Sequence, residues 1–90
     1  MRDFRVEVRV TPRRGILDPQ GKAVEGALGS LGFAGLSEVH VGRLIVFTLS
    51  ADSEEDAAGR ADEMCRRLLA NPVTEDYDVR VHGLAGSAGR

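Results

Sequence analysis

Phe4, Val6, Val8 and Val10 are apolar and alternate with Arg5, Glu7 and Arg9. A period of two belongs to an extended strand, whose successive side chains point to opposite faces. The chain therefore opens on a strand with one apolar face and one charged face, and the rest of the sequence must supply a cover for the first. Pro12 cannot donate to a ladder, so the strand is predicted to stop there. With 90 residues, folding would bury about 9,000 Å², enough for one small core and no second domain.

The cover is predicted to be helical. Asp18 is a good N-cap, because its carboxylate accepts from the free N–H groups of a first turn, and Pro19 suits the first helical position. Ala23, Val24, Ala27, Leu28 and Leu31 then form a helical stripe that Gly32 ends. Gly21, Gly26 and Gly29 weaken this helix by up to about 1 kcal/mol each, so it must lean on tertiary packing. Val39 and Val41 alternate with Glu38 and His40, Gly42-Arg43 supplies a turn or bulge, and Leu44 to Leu49 form the next strand. Ser53 caps a second helix, with Glu54, Glu55 and Asp56 at its positive end and Asp56 placed for a capping box. Its stripe is Ala57, Ala61, Met64, Cys65, Leu68 and Leu69, and Asn71-Pro72 stops it. Tyr77, Val79 and Val81 alternate with Asp78 and Arg80 in a last strand.

This order, β-α-β-β-α-β, predicts an α+β fold: a ferredoxin-like sandwich with a four-stranded antiparallel sheet and two helices on one face. Phe4, Val6, Val8, Val39, Val41, Ile45, Phe47, Leu49, Tyr77 and Val79 would face the helices. The other face would carry Arg5, Glu7, Arg9, Asp78 and Arg80, with Leu44 and Val46 exposed among them. A second copy of the chain is the expected cover for that apolar stripe, giving a dimer formed through the sheet. Residues 1–82 read as one domain and 83–90, small and glycine-rich, as a flexible tail.

Composition narrows the function classes. The chain is 42% apolar and 29% charged, which is globular rather than disordered. Its net charge of −2 has the wrong sign for a protein that lives on phosphate backbones. One sheet-based RNA-binding fold shares this topology, but it stacks bases on aromatics that this exposed face lacks. No apolar run is long enough to cross a bilayer, Met1 to Phe4 lack the apolar stretch of a secretion signal, and a lone Cys65 gives no internal disulfide. A cytoplasmic protein bound to neither nucleic acid nor membrane is expected.

The chemistry-bearing residues do not assemble into a motif. Gly15-Ile16-Leu17-Asp18-Pro19-Gln20-Gly21-Lys22-Ala23 superficially resembles a phosphate-binding loop. It has five rather than four residues between its glycines, Ala23 in place of the Ser/Thr that would meet magnesium, and Pro19 in the backbone cradle. His40, Cys65 and His82 are not at metal-ligand spacing. Cys65 lies on an apolar stripe and reads as an inert buried thiol, His40 as a surface strand residue, and Glu54, Glu55 and Asp56 as partners of a helix dipole. No catalytic residue and no cofactor site is expected in this chain alone.

The same loop, read on from Gly15 through Val24 to Ala27-Leu28, is similar to the signature of the PurS family, the small subunit of phosphoribosylformylglycinamidine synthase. The resemblance continues through Val39-His40-Val41-Gly42-Arg43, Glu63-Met64-Cys65, and Leu68-Leu69-Ala70-Asn71-Pro72-Val73 with Glu75-Asp76-Tyr77, and spans Val6 to Val81. The run Leu44 to Leu49 departs from it, because the family usually alternates apolar and acidic residues there. The resemblance implies a non-catalytic assembly and coupling piece of a carbon–nitrogen ligase of purine biosynthesis. Such a piece joins a glutaminase subunit to a large synthetase subunit, so that ammonia released from glutamine reaches formylglycinamide ribonucleotide activated by ATP and magnesium. It also implies self-association to a dimer or tetramer. The exposed polar members of the matched runs, Asp18, Gln20, Lys22, Arg43 and Asn71, are the candidates for partner contact, and Leu44 and Val46 for the dimer face. The alternative is an ACT-like small-molecule-sensing module, which shares the topology and binds amino acids at a strand-to-helix turn.

Overall fold

The computed structural model describes residues 1–83. In chain order its elements are β1 (Arg2–Pro12), α1 (Pro19–Ser30), β2 (Arg43–Ala51), α2 (Glu54–Met64), a π-helical turn (Cys65–Leu69) and β3 (Glu75–Gly83). The fold is α+β, with one antiparallel sheet of three strands ordered β2-β1-β3. The opening strand is thus the central one. Val6 lies between Phe47 and Val81, and Val8 between Ile45 and Val79. Phe4, Val6, Val8 and Val10 are almost wholly buried, each worth about 1.5–3 kcal/mol of hydrophobic stabilisation.

α2 and the π turn that continues it close over this apolar face with Ala57, Ala61 and Cys65, all fully buried. Small side chains at i, i+4 and i+8 let the helix lie close to the sheet, and Ile45, Phe47, Leu49, Tyr77, Val79 and Val81 pack around it. Ser53 caps α2 as expected, accepting from the Asp56 N–H at 3.0 Å. The return bond from Asp56 goes to the N–H of Asp52 rather than to the cap residue itself.

Three expectations are corrected. Val39–Val41 is not a strand, so the sheet has three strands rather than four. Glu38 turns the backbone through φ +56 just before it, and the Val41 N–H goes to the Asp18 carboxylate instead of to a ladder. Second, only α2 lies on the sheet; α1 has no comparable packing against the strands. Its stripe is too thin to hold it there, since Ala23 is exposed, Val24 is 40% exposed and Leu31 73% exposed. Third, Leu68 points to solvent, because the wider π turn takes it off the Ala57–Cys65 line.

α1 is nonetheless well terminated. Gly32 adopts φ +96, and Gly32 and Phe33 donate back to Gly29 and Leu28 at 3.0 and 3.1 Å, a Schellman ending. At the far end of the sheet Gly83, assigned to the tail from sequence, pairs with Phe4; the remainder of that tail, 84–90, lies outside the described residues.

Gly21 sits where α1 meets the 38–41 segment. A Cβ there would collide with the Val39 carbonyl, 2.6 Å from Asp18 Oδ2 and 3.0 Å from His40 Cα, whereas one at Gly59 would meet nothing within 4 Å. Gly21→Ala is therefore expected to destabilise by roughly 1–3 kcal/mol although alanine is the better helix former. Gly59→Ala should stabilise by about 0.5–1 kcal/mol. Denaturant titration of the two variants against the parent chain checks both signs.

Candidate functional site

The Asp18 side chain is 9% exposed, and its two oxygens do different work. Oδ1 accepts the Gly21 N–H at 3.0 Å and caps α1. Oδ2 accepts the Val41 N–H at 2.9 Å and lies 3.3 Å from His40 Nδ1. One carboxylate thus ties the start of α1 to the segment that leads into β2. The two backbone donors, ahead of the imidazole, hold the Asp18 carboxyl below the usual carboxylate range against the opposing effect of burial.

Around this tie lies a cleft of about 350 Å³. Asp18, Lys22 and Glu25 line it from α1 and its cap, and Glu38 and His40 from the opposite side. His40 is not the surface strand residue its alternation suggested. Its side chain is 20% exposed, with Nε2 3.5 Å from Glu38 Oε1. Arg14 approaches the same Glu38 oxygen at 3.8 Å.

A second polar cluster joins the starts of β2 and β3. Arg43 grips Glu75 with both guanidinium nitrogens at 2.9 and 3.1 Å and donates to the Leu69 carbonyl at 2.6 Å. Glu75 Oε1 also accepts the Asn71 N–H at 2.8 Å. The guanidinium, followed by that backbone donor, holds the Glu75 carboxyl low. Asn71 Oδ1 accepts the Val73 N–H at 3.0 Å, an Asx turn that starts the path into β3. Arg13 secures the same loop, its N–H donating to Thr74 O at 2.9 Å and Nη2 to Pro72 O at 2.7 Å.

The structure therefore divides the candidates. Asp18 and Lys22 share the cleft, and Arg43 and Asn71 share the Glu75 cluster. Gln20 stands exposed on the first turn of α1. Leu44 and Val46 are 59% and 44% exposed on the sheet face away from α2, beside Glu7 and Arg9. Glu38, His40 and Glu75 were not singled out by the residue pattern. Their pairings cross the chain, and the left-handed turn at Glu38 has no glycine to announce it. Cys65 is buried as expected, and burial pushes its thiol up and away from the reactive thiolate. Among the described residues no group of three or more His, Cys, Asp or Glu side chains is placed to hold a metal ion, and no helix is long and apolar enough to cross a membrane.

Comparison with known proteins gives this geometry its context. Residues 5–83 match the family PurS, described as phosphoribosylformylglycinamidine (FGAM) synthase. The chain belongs to the PurS family. It is 40% identical over 84 residues to the PurS subunit of that synthase from Synechocystis, covering 93% of this chain and 84% of that one. The crystal structure of Methanocaldococcus jannaschii PurS, a subunit of formylglycinamide ribonucleotide amidotransferase in the purine biosynthetic pathway, superposes with a TM-score of 0.74 at 34% identity, covering 88% of this chain and 95% of that one. A chain in the structure of PurLQS from Thermotoga maritima superposes with a TM-score of 0.80 at 30% identity, covering 90% and 99%. PurS chains are subunits of FGAM synthase, a ligase complex of purine biosynthesis.

Two outcomes follow from the polar clusters. Asp18 and Glu75 bind a proton less readily folded than unfolded, so the stability they contribute is complete above the ordinary carboxylate range. It drains as the pH falls below about 4 towards their lower folded values. Asp18→Asn, which keeps a cap for Gly21, should flatten that acid-side loss in denaturant titrations repeated at successive pH values. In a double-mutant cycle with Arg43→Met and Glu75→Gln, the half-exposed guanidinium should give a coupling of about 1 kcal/mol or less.

Proposed function

We propose that this chain is the assembly and coupling subunit of an FGAM synthase, a single PurS-like domain that bridges a glutaminase subunit and a large synthetase subunit for ammonia transfer. The complex would use glutamine, ATP and magnesium, with the reacting groups supplied by the larger subunits in the cytoplasm. The observation that carries this reading is the match to PurS over residues 5–83 on a fold whose apolar surfaces have no cover among the described residues.

Two such surfaces matter here. One is α1 with the segment after it, where Leu31 and Phe33 are 73% and 59% exposed. The other is the sheet face of Leu44 and Val46, which a second copy of the chain would bury as a dimer or as half of a tetramer. Charged neighbours on that face keep it soluble while unpaired: Arg5 pairs with Glu7 at 3.3 Å and Arg80 with Asp78 at 3.2 Å. Lys22 and Gln20 are exposed and available to a larger subunit. Arg43, Asp18 and Asn71, by contrast, are already engaged within the chain, so their part in docking is to hold the loops in shape.

Glutamine-dependent synthetase activity of the two larger subunits, measured with and without this chain, tests the reading. Activity should require the chain; full activity without it would overturn the proposal. Lys22→Glu should leave the circular dichroism unchanged and weaken co-elution with the larger subunits on a sizing column in glutamine and ADP. Leu44→Lys with Val46→Lys should shift sedimentation towards the monomer.

A further inference from the structure

His40 stands between two carboxylates, with Nδ1 3.3 Å from Asp18 Oδ2 and Nε2 3.5 Å from Glu38 Oε1. A neutral imidazole has one N–H and can donate to only one of them. An imidazolium has two and can donate to both at once. The two carboxylates are not equivalent. Asp18 is fixed by its bonds to Gly21 and Val41, so it stays in place whichever nitrogen carries the proton. Glu38 is half-exposed and sits on a backbone turned to φ +56, a conformation that a non-glycine residue adopts only when its surroundings hold it there. Its only other ionic partner among the described residues is Arg14, at 3.8 Å and 87% exposed. His40 and Arg14 are therefore the two ionic restraints on the Glu38 side chain among the described residues, beside the Val41 N–H bond that holds the segment to Asp18.

We propose that His40 is a proton-operated latch between the 38–41 segment and the N-terminus of α1. Protonated, the ring clamps Glu38 and Asp18 together and closes one wall of the cleft. Neutral, it keeps Asp18 and releases Glu38, and the turn relaxes. The other charges facing this cleft are Lys22 and Glu25 from α1 and Arg14 from the preceding loop. Because α1 has little other attachment to the body, the angle at which it projects is set at this junction, and the latch tunes it. The inference goes beyond the assembly role and stands on the geometry of the isolated chain.

NMR titration of the full isotope-labelled chain across about pH 5 to 8, where histidine changes charge, tests it. The Glu38 carboxyl and the amides of Glu38 and Val41 are expected to shift with the same midpoint as the His40 ring. In His40→Gln these shifts should be lost. A His40 ring that titrates while Glu38 and Val41 stay still would overturn the latch, as would the same Glu38 shifts persisting in His40→Gln. The parent titration decides the matter even if the variant folds poorly.

Discussion

The buried carboxylate of Asp18 is the joint on which the two parts of this molecule meet. Strand β1 ends at Pro12, and the chain must leave the sheet, start a helix, and later return to begin β2 at Arg43 beside Val10. A free helix N-terminus and an unpaired extended segment are both short of hydrogen-bond acceptors. Asp18 meets both needs with one side chain, giving Oδ1 to Gly21 and Oδ2 to Val41. That economy requires a very close approach, and only a glycine at 21 leaves room for the Val39 carbonyl. The Asp-Pro-Gln-Gly sequence is therefore a structural unit: cap, first turn, and clearance for the returning chain.

The central position of β1 determines how the rest is divided. Each of its even-numbered residues from Phe4 to Val10 is flanked on both sides and buried, and α2 with the π turn after it completes the core with alanines and one cysteine. Its odd-numbered residues present charge to the opposite face, where Arg9 stands between Leu44 and Asp78, and Glu7 between Val46 and Arg80. Opposite charges across neighbouring strands favour this register, and they leave Leu44 and Val46 as the apolar exception at one edge. The Arg43–Glu75 grip then ties the starts of the two edge strands across β1.

What was legible in the sequence follows from the range of the forces involved. Strand periodicity, the Asp18 and Ser53 caps and the Gly32 stop are set by neighbours a few residues away, and each is found where the pattern places it. Val39-His40-Val41 alternates as a strand does, but a strand exists only if its N–H groups find a ladder, and here the decisive acceptor is a side chain 23 residues earlier. Arg43 and Asn71 looked like free polar motif residues because their common partner, Glu75, is brought to Arg43 only by the register of three strands. The exposure of Leu68 turns on one π turn, which a 3.6-residue period cannot reveal. The family resemblance rests on these same runs, and the match to PurS bears it out.

The split between engaged polar residues and unengaged apolar ones bears on how a subunit of this kind can work. A docking piece needs loops that hold their shape before the partner arrives, since ordering them on contact would cost affinity. Asp18, Arg43, Asn71 and Glu75 supply that order by spending their hydrogen bonds inside the chain. Binding free energy must then come from surfaces that gain by leaving water, and among the described residues α1, the segment after it, the Leu44–Val46 edge and Leu68 offer such surface. α1 is anchored at its N-terminus and makes little contact with the sheet along its length. A tied joint and an exposed apolar arm are both consequences of placing a capped helix beside the core instead of upon it.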